Sequence, residues 1–191
     1  GPALAGGARR RQSAAPASPA TSDVATHADA LRALAQRVTI FRDDFGVIDR
    51  VVVNAGLGKG APIGTGRYDA NRQTAMTNFV AALAQCEAAM EIFRHQKRGH
   101  LVMISSVSAM RGMRKTVTTY AATKAGVAAL AEGLRNEMLG EPDLDIRVST
   151  IYPGYIRSEM NERVTKSPFI VDTRTGVAAM VDAMEKEKAN A

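Results

Sequence analysis

Val47-Ile48-Asp49-Arg50-Val51-Val52-Val53 runs directly into Asn54-Ala55-Gly56. A short β-branched run of this kind predicts a strand buried in a parallel sheet. Upstream, Leu31, Leu34, Ala35, Val38 and Phe41 recur at spacings of three and four, so residues 27–45 are expected to form a helix that Gly46 ends. Downstream, residues 69–96 read as a long helix with Ala75, Phe79, Ala82, Leu83, Ala89, Met90 and Phe93 on its surface. Leu101-Val102-Met103-Ile104 reads as a second buried strand, closing at Ser105-Ser106. A helix over 119–138 follows, with Val127, Leu130, Leu134 and Met138 on one stripe and Gly140 as its stop. Asp145 to Ile151 is a third strand, ended by Tyr152-Pro153-Gly154. A short helix over 158–164 and an amphipathic helix over 172–188 complete the pattern. Strands alternating with long helices predict an α/β fold: a doubly wound parallel sheet with helices on both faces.

Residues 1–22 are rich in Ala, Gly, Pro, Ser and Arg and lack any apolar period, which reads as loop or disorder. Residues 23–188 are expected to form a single domain. The chain has 191 residues, 46% hydrophobic and 23% charged, enough for a substantial core. No run of about 18 apolar residues is present, so no membrane span is expected. The start shows no secretory pattern. Cys86 is the only cysteine and cannot form an internal disulfide, which fits a reducing cytoplasm. His27, His95 and His100 are scattered, so no metal site is expected. The net charge of +6 includes Arg9-Arg10-Arg11. No aromatic residues interleave with that run, so it reads as a solvated segment and not as a nucleic-acid contact.

Gly56, Gly58 and Ala61 fit a G-x-G-x-x-A pattern, but Pro62 and further glycines follow where a helix should open. The segment therefore reads as a strand-end loop beside a ligand. In parallel sheets ligands bind at the carboxyl ends of strands. Here those ends are Asn54-Ala55-Gly56, Ser105-Ser106 and Pro153-Gly154. Tyr120 and Lys124 lie one helical turn apart on one face. An ammonium beside a phenol is expected to lower the phenol's pKa, making it a proton donor and acceptor at a carbonyl or alcohol oxygen. Asn78 sits in the middle of the long helix, where asparagine is a mediocre choice. It has either a structural hydrogen bond or a catalytic role.

Four features together resemble the short-chain dehydrogenase/reductase family: Asn54-Ala55-Gly56 after a buried strand, Ile104-Ser105-Ser106, Tyr120-x-x-x-Lys124, and Pro153-Gly154-Tyr155-Ile156. The resemblance spans roughly residues 23–188, and the stretch 54–66 looks most like bacterial, actinomycete-type members. It implies a Rossmann-like fold and a nicotinamide-dependent oxidoreductase that interconverts a carbonyl and an alcohol. By position, it makes Tyr120 the general acid/base and Lys124 the group that lowers its pKa and holds the nicotinamide ribose. Ser106, favoured over Ser105 and Ser108, would bind the substrate oxygen. Asn78 would order a water relaying protons to Lys124. Asp23 and Val24 resemble the pair that contacts adenine. Asn54, Ala55 and Gly56 would lie along the cofactor, and Pro153, Gly154, Ile156 and Ser158 would frame the nicotinamide. The cofactor would be NADP or NAD, with NADP favoured from Arg9-Arg10.

The sequence also departs from the family. No T-G-x-x-x-G-x-G turn occurs in residues 1–22, the second strand is not found, and the chain stops before the last strand, so the fold reads as incomplete at both ends. Three explanations arise: segments ordered by the cofactor are omitted, the chain is truncated, or the protein is a degenerate member. The first is favoured because the catalytic set is intact, and it implies a structure without bound cofactor. The alternative function is a non-catalytic interaction protein on the same fold. Alanine-rich helices over 69–96 and 119–138, with the resemblance, imply a homodimer or homotetramer. Met110, Met113, Met160, Pro168 and Phe169 imply an apolar carbonyl or alcohol substrate.

Overall fold

The computed structural model describes residues 46–157 and 170–191, together with Asp29, Arg32, Ala33, Gln36, Ile40, Asp43 and Asp44. Those seven isolated positions are all helical, within the helix expected over 27–45. Asp23, Val24, Ser158 and the short helix expected over 158–164 lie outside the described residues.

The elements in order are strand β1 (Arg50–Val53), helix α1 (Tyr68–Ala75), a π-helical turn (Met76–Val80), helix α2 (Ala81–Gln96) and strand β2 (Arg98–Ile104). Two 3-10 turns follow (Val107–Met110 and Lys115–Val117), then helix α3 (Thr118–Leu139), strand β3 (Asp145–Ile151) and helix α4 (Thr173–Glu185). The strands form one parallel sheet in the order β1-β2-β3. Arg50 pairs with His100 and Val53 with Met103, while Arg98 pairs with Asp145 and Ile104 with Ile151. Parallel neighbours need long crossovers, and the helices supply them.

Alternation along β2 explains its continuous apolar run. Leu101 and Met103 face one core, with Ala89, Phe93, Val127 and Ala131 from α2 and α3. Val102 and Ile104 face a second, with Ile151 and Ala183 and with Met180 and Met184 of α4. Helices thus lie on both faces, as the strand–helix alternation requires. Each such fully buried side chain contributes roughly 1.5–3 kcal/mol. The packing is tightest where the Phe93 ring lies over Gly99: a Cβ there would sit 2.2 Å from the ring.

Three expectations need amendment. The helix over 69–96 is not one α-helix, because the π-helical turn interrupts it at Met76–Val80. β1 begins at Arg50, three residues later than the apolar run, and is not buried on both faces. Val52 is 40% exposed, because none of the described residues covers it. At the other edge, Asn190 forms a parallel bridge to Thr150, where sequence reading found no strand. Arg135 pins that edge, donating to Ala189 O at 3.0 Å and to Thr150 Oγ1 at 2.8 Å. Three residues are too few to carry a readable period.

Candidate active site

The carboxyl ends of the strands converge, as expected. Beyond β2 and β3 the chains stay paired: Ser105 N donates to Ile151 O at 2.8 Å and Val107 N to Pro153 O at 3.1 Å. This pairing sets Ser105 and Ser106 at the end of β2, against the first turns of α3. Their hydroxyls then divide the work. Ser105 Oγ donates to Lys124 O at 2.8 Å and ties the helix to the strand. Ser106 opens the 3-10 turn, where its Oγ accepts from Ser108 N at 3.1 Å. The Ser106 side chain lies near enough to the Tyr120 phenol to act on its pKa.

Tyr120 and Lys124 both lie in the first two turns of α3. Lys124 is 4% exposed, and its Nζ donates to Ile104 O at 2.8 Å. Burial pulls its pKa down from 10.5 to about 8. Among the described residues no carboxylate pairs with it. Gly56 borders the ammonium: a Cβ there would stand 3.4 Å from Nζ. The Tyr120 phenol is pushed up from its ordinary value, first by burial. Ser106 pulls the other way, and Tyr155 adds a smaller upward push.

That direction corrects the sequence expectation. The ammonium was expected to lower the phenol's pKa, but its hydrogen bond turns to the Ile104 carbonyl, and burial of the phenol acts in the opposite direction. A phenol held protonated at neutral pH is a ready proton donor to an oxygen beside it.

Asn78 lies in the π-helical turn and is fully buried. Such turns insert an extra residue into a helix and often occur at functional sites. Its Oδ1 accepts from Leu57 N at 2.6 Å, and its Nδ2 donates to Leu57 O at 3.0 Å and to Thr123 Oγ1 at 3.2 Å. Thr123 Oγ1 in turn donates to Tyr120 O at 2.7 Å. Asn78 therefore ties the loop after β1 to the helix that carries Tyr120 and Lys124, and none of its bonds goes to Lys124.

Asn54 and Ala55 are exposed at the end of β1, with Gly56 half-buried above Lys124. On the opposite side, the chain from Pro153 folds back: Ile156 bridges Val171, Arg157 N donates to Val171 O at 3.0 Å, and Val171 N donates to Tyr155 O at 3.0 Å. Pro153 and Ile156 are half-buried and Gly154 is exposed. Asp23, Val24 and Ser158 cannot be placed in this site, because they lie outside the described residues.

Sequence reading missed Asn71, Thr123 and Gly60. Asn71 Oδ1 accepts from Ala61 N and from Thr119 Oγ1, both at 2.9 Å. Gly60 touches Thr116, since a Cβ on it would lie 2.3 Å from the Thr116 carbonyl oxygen. One signal was available. Asn71 and Asn78 are two helical turns apart, and two asparagines on one helix face are a costly choice without partners.

The short chain dehydrogenase family profile matches residues 6–168. An uncharacterized oxidoreductase of Mycobacterium tuberculosis is 48% identical over 149 residues, which are 78% of this chain and 58% of that protein. The chain thus spans under two thirds of the length of this relative. The fold is also that of a gluconate 5-dehydrogenase from Burkholderia cenocepacia in complex with NADP and tartrate. Its TM-score is 0.63 at 24% identity, covering 71% of this chain and 51% of that one. NAD+-bound xylitol dehydrogenase gives a TM-score of 0.61 at 22% identity, covering 84% of this chain and 64% of that one. Profile, relative and strand-end motifs agree: the chain belongs to the short chain dehydrogenase family.

Proposed function

We propose that the protein is a nicotinamide-dependent oxidoreductase that interconverts a carbonyl and an alcohol, with Tyr120 moving the proton. The observation that carries this reading is that Ser106, close enough to act on the Tyr120 phenol, and the buried ammonium of Lys124, one helical turn from Tyr120, share one strand-end site. Two hydroxyls aimed together can hold one substrate oxygen. Ser106 steadies charge on that oxygen, and Tyr120, protonated at neutral pH, gives it the proton in reduction and takes it back in oxidation.

The residues present fit a nicotinamide cofactor. A buried ammonium without a carboxylate suits ribose hydroxyls, and Gly56 leaves open the space above it that a side chain would fill. Asn54, Ala55 and Gly56 would line one side of the cofactor, and Pro153, Gly154, Ile156 and Ser158 the other, with Asp23 and Val24 at the adenine. When bound, the nicotinamide supplies or accepts the hydride. Lys124 would hold the ribose hydroxyls, and Asn78 keeps the Leu57 loop and Thr123 tied together. Known structures of the fold carry NADP or NAD, and Arg9-Arg10 favours NADP here.

Titration of the protein's tyrosine fluorescence with NADPH and NADH tests the reading. Saturable binding is expected, tighter for NADPH. The competing reading is a non-catalytic interaction protein on the same fold, favoured by the absence of a T-G-x-x-x-G-x-G turn from residues 1–22. It requires no response to either nucleotide.

Assembly as a homodimer or homotetramer follows from the alanine-rich surfaces of α2 and α3, where Leu83 is 37% and Leu139 83% exposed. Sedimentation at micromolar concentration is expected to give a species of two or four chains. Among the described residues no helix is long and apolar enough to cross a membrane. A cytoplasmic location fits the single buried cysteine, Cys86.

A further inference from the structure

Tyr120 is the third residue of α3, so its place depends on how firmly the first turn is held. The cap residue is Val117, whose side chain has no polar atom for the free N–H groups of that turn. An uncapped first turn frays readily. Proton transfer, in contrast, demands placement to within about an ångström.

The restraint comes from the side. Asn71, the fourth residue of α1, accepts through Oδ1 from Thr119 Oγ1 at 2.9 Å, and Thr119 is the residue next to Tyr120. The same oxygen accepts from Ala61 N at 2.9 Å. Ala61 is buried, and a backbone N–H can only donate, so the oxygen end of the amide is the end that faces it. Thr119 is therefore the donor in its own bond to that oxygen. Gly60 lies against the Thr116 carbonyl at the same place, and a Cβ on it would stand 3.5 Å from Asn71 Oδ1.

Asn78 repeats the arrangement seven residues on. It bonds Leu57 of the loop after β1 and Thr123 of α3. Each asparagine thus joins one loop residue to one threonine of α3. Thr119 and Thr123 stand one helical turn apart and bracket Tyr120 in the chain. The loop from Leu57 to Ala61 is held at both ends. The two ties differ in what they hold. Asn78 reaches the second turn of α3, whereas Asn71 holds the uncapped first turn.

We propose that Asn71 is a positioning residue for the reaction: through Thr119 it fixes the first turn of α3, and so the place of Tyr120, and through Ala61 it ties that turn to the loop beside the cofactor. This rests on the oxidoreductase reading above and deepens it.

The test observes Tyr120 directly by NMR of isotope-labelled tyrosine rings. The Tyr120 signal is identified by its loss in Tyr120→Phe, and Tyr152, beyond β3, is the internal reference. Thr119→Val keeps the side chain's shape, removes the donor and cuts only the arm to α3. Its Tyr120 signal should move and broaden while that of Tyr152 stays in place. Thr119→Ser keeps the hydroxyl and should keep the signal. Asn71→Leu should move the signal as Thr119→Val does, and combining the two should change little further, because the bond is already gone. With NADPH and a ketone that the unaltered protein reduces, Thr119→Val should lower kcat about tenfold and leave KM for NADPH within about twofold. Asn71→Leu also frees Ala61 and should raise that KM. If Asn71→Leu does not fold, Thr119→Val decides by itself. An unmoved Tyr120 signal in a Thr119→Val protein that merely unfolds at lower urea makes Asn71 a structural tie and overturns the proposal. A Thr119→Ser protein that behaves like Thr119→Val overturns it too. Nucleotide binding tests the underlying reading separately. A Tyr120 signal that responds as expected, in a protein that binds neither NADPH nor NADH, would sink the oxidoreductase reading and leave the hold on Tyr120 standing. An unmoved signal in a protein that reduces the ketone would do the reverse.

Discussion

Asn78 grips both backbone polar groups of Leu57: its Oδ1 accepts from Leu57 N at 2.6 Å and its Nδ2 donates to Leu57 O at 3.0 Å. The side chain behaves as a one-residue strand, paired with the loop that leaves β1. Because the same Nδ2 reaches Thr123, the loop, the π-helical turn and α3 form one unit. Removing the amide leaves both Leu57 backbone groups without this partner and takes from Thr123 one of its two hydrogen bonds. Asn78→Ala should therefore cost about 1–3 kcal/mol in urea unfolding. Asn78→Asp, which keeps the Oδ1 acceptor and, protonated, one O–H donor, should cost less. Both should raise KM for the nicotinamide more than they lower kcat. A variant with unchanged stability and only kcat reduced would instead assign Asn78 to proton transfer.

Tyr120→Phe removes the proton-carrying hydroxyl and leaves the ring in place. General acid–base groups contribute about 10²–10⁴-fold. Loss of kcat in that range, with nucleotide affinity retained, is the expected result of steady-state assays with NADPH and a ketone. Ser106→Ala should lose less, because the Tyr120 hydroxyl still reaches the oxygen. A Tyr120→Phe protein with near-normal kcat would remove Tyr120 from the chemistry.

Lys124 makes opposite predictions for activity and stability. Its folded pKa is about 8, against 10.5 unburied, because burial penalises the ammonium. The charge is present below about pH 8 and is lost above it. Reductive kcat/KM should hold up to that pH and decline beyond it. Stability goes the other way. The unfolded chain keeps the proton up to about 10.5, so it binds more protons than the folded chain between the two values, and this group's contribution to stability rises with pH there. Activity that falls in a pH range where unfolding is not accelerated is the signature, read from parallel rate and thermal-melt profiles.

His100 sets the acid side. It is 3% exposed, its Nδ1 accepts from Arg50 Nε at 2.9 Å, and its Nε2 lies 2.8 Å from Ser149 Oγ. Its pKa is held below the ordinary 6.5, first by burial and then by Arg50, with Glu187 acting weakly against them and Arg147 with them. The neutral ring belongs to the folded state, so the unfolded chain takes up the proton first. The stability it contributes is complete above about pH 6.5 and is lost as pH falls toward the folded value. Urea midpoints should decline between about pH 6.5 and 5, and His100→Gln should flatten that slope.

The alternation of apolar runs with helical periods made the α/β class legible, because β2 must be buried on both sides and a four-residue run such as 101–104 has no other economical placement. The grouping of Ser106, Tyr120 and Lys124 was legible from their places at a strand end and one helical turn apart. The partners of those residues were not. The π-helical turn depends on one extra residue accommodated by packing, and no local period announces it. Which serine faces Tyr120 was decided by the bond from Ser105 to the Lys124 carbonyl, a contact across 19 positions of chain.

By itself, then, the sequence determined which side chains gather at one edge of a parallel sheet, since strand and helix periods are local properties that side-chain type dictates. Only the tertiary structure decided how those side chains are poised. Lys124 points to the Ile104 carbonyl and the Tyr120 pKa is raised, because desolvation depends on everything packed around a group and not on its neighbours in the chain. The same reason explains the meeting of two loops far apart in sequence: Gly60 reaches the Thr116 carbonyl only because it lacks a side chain.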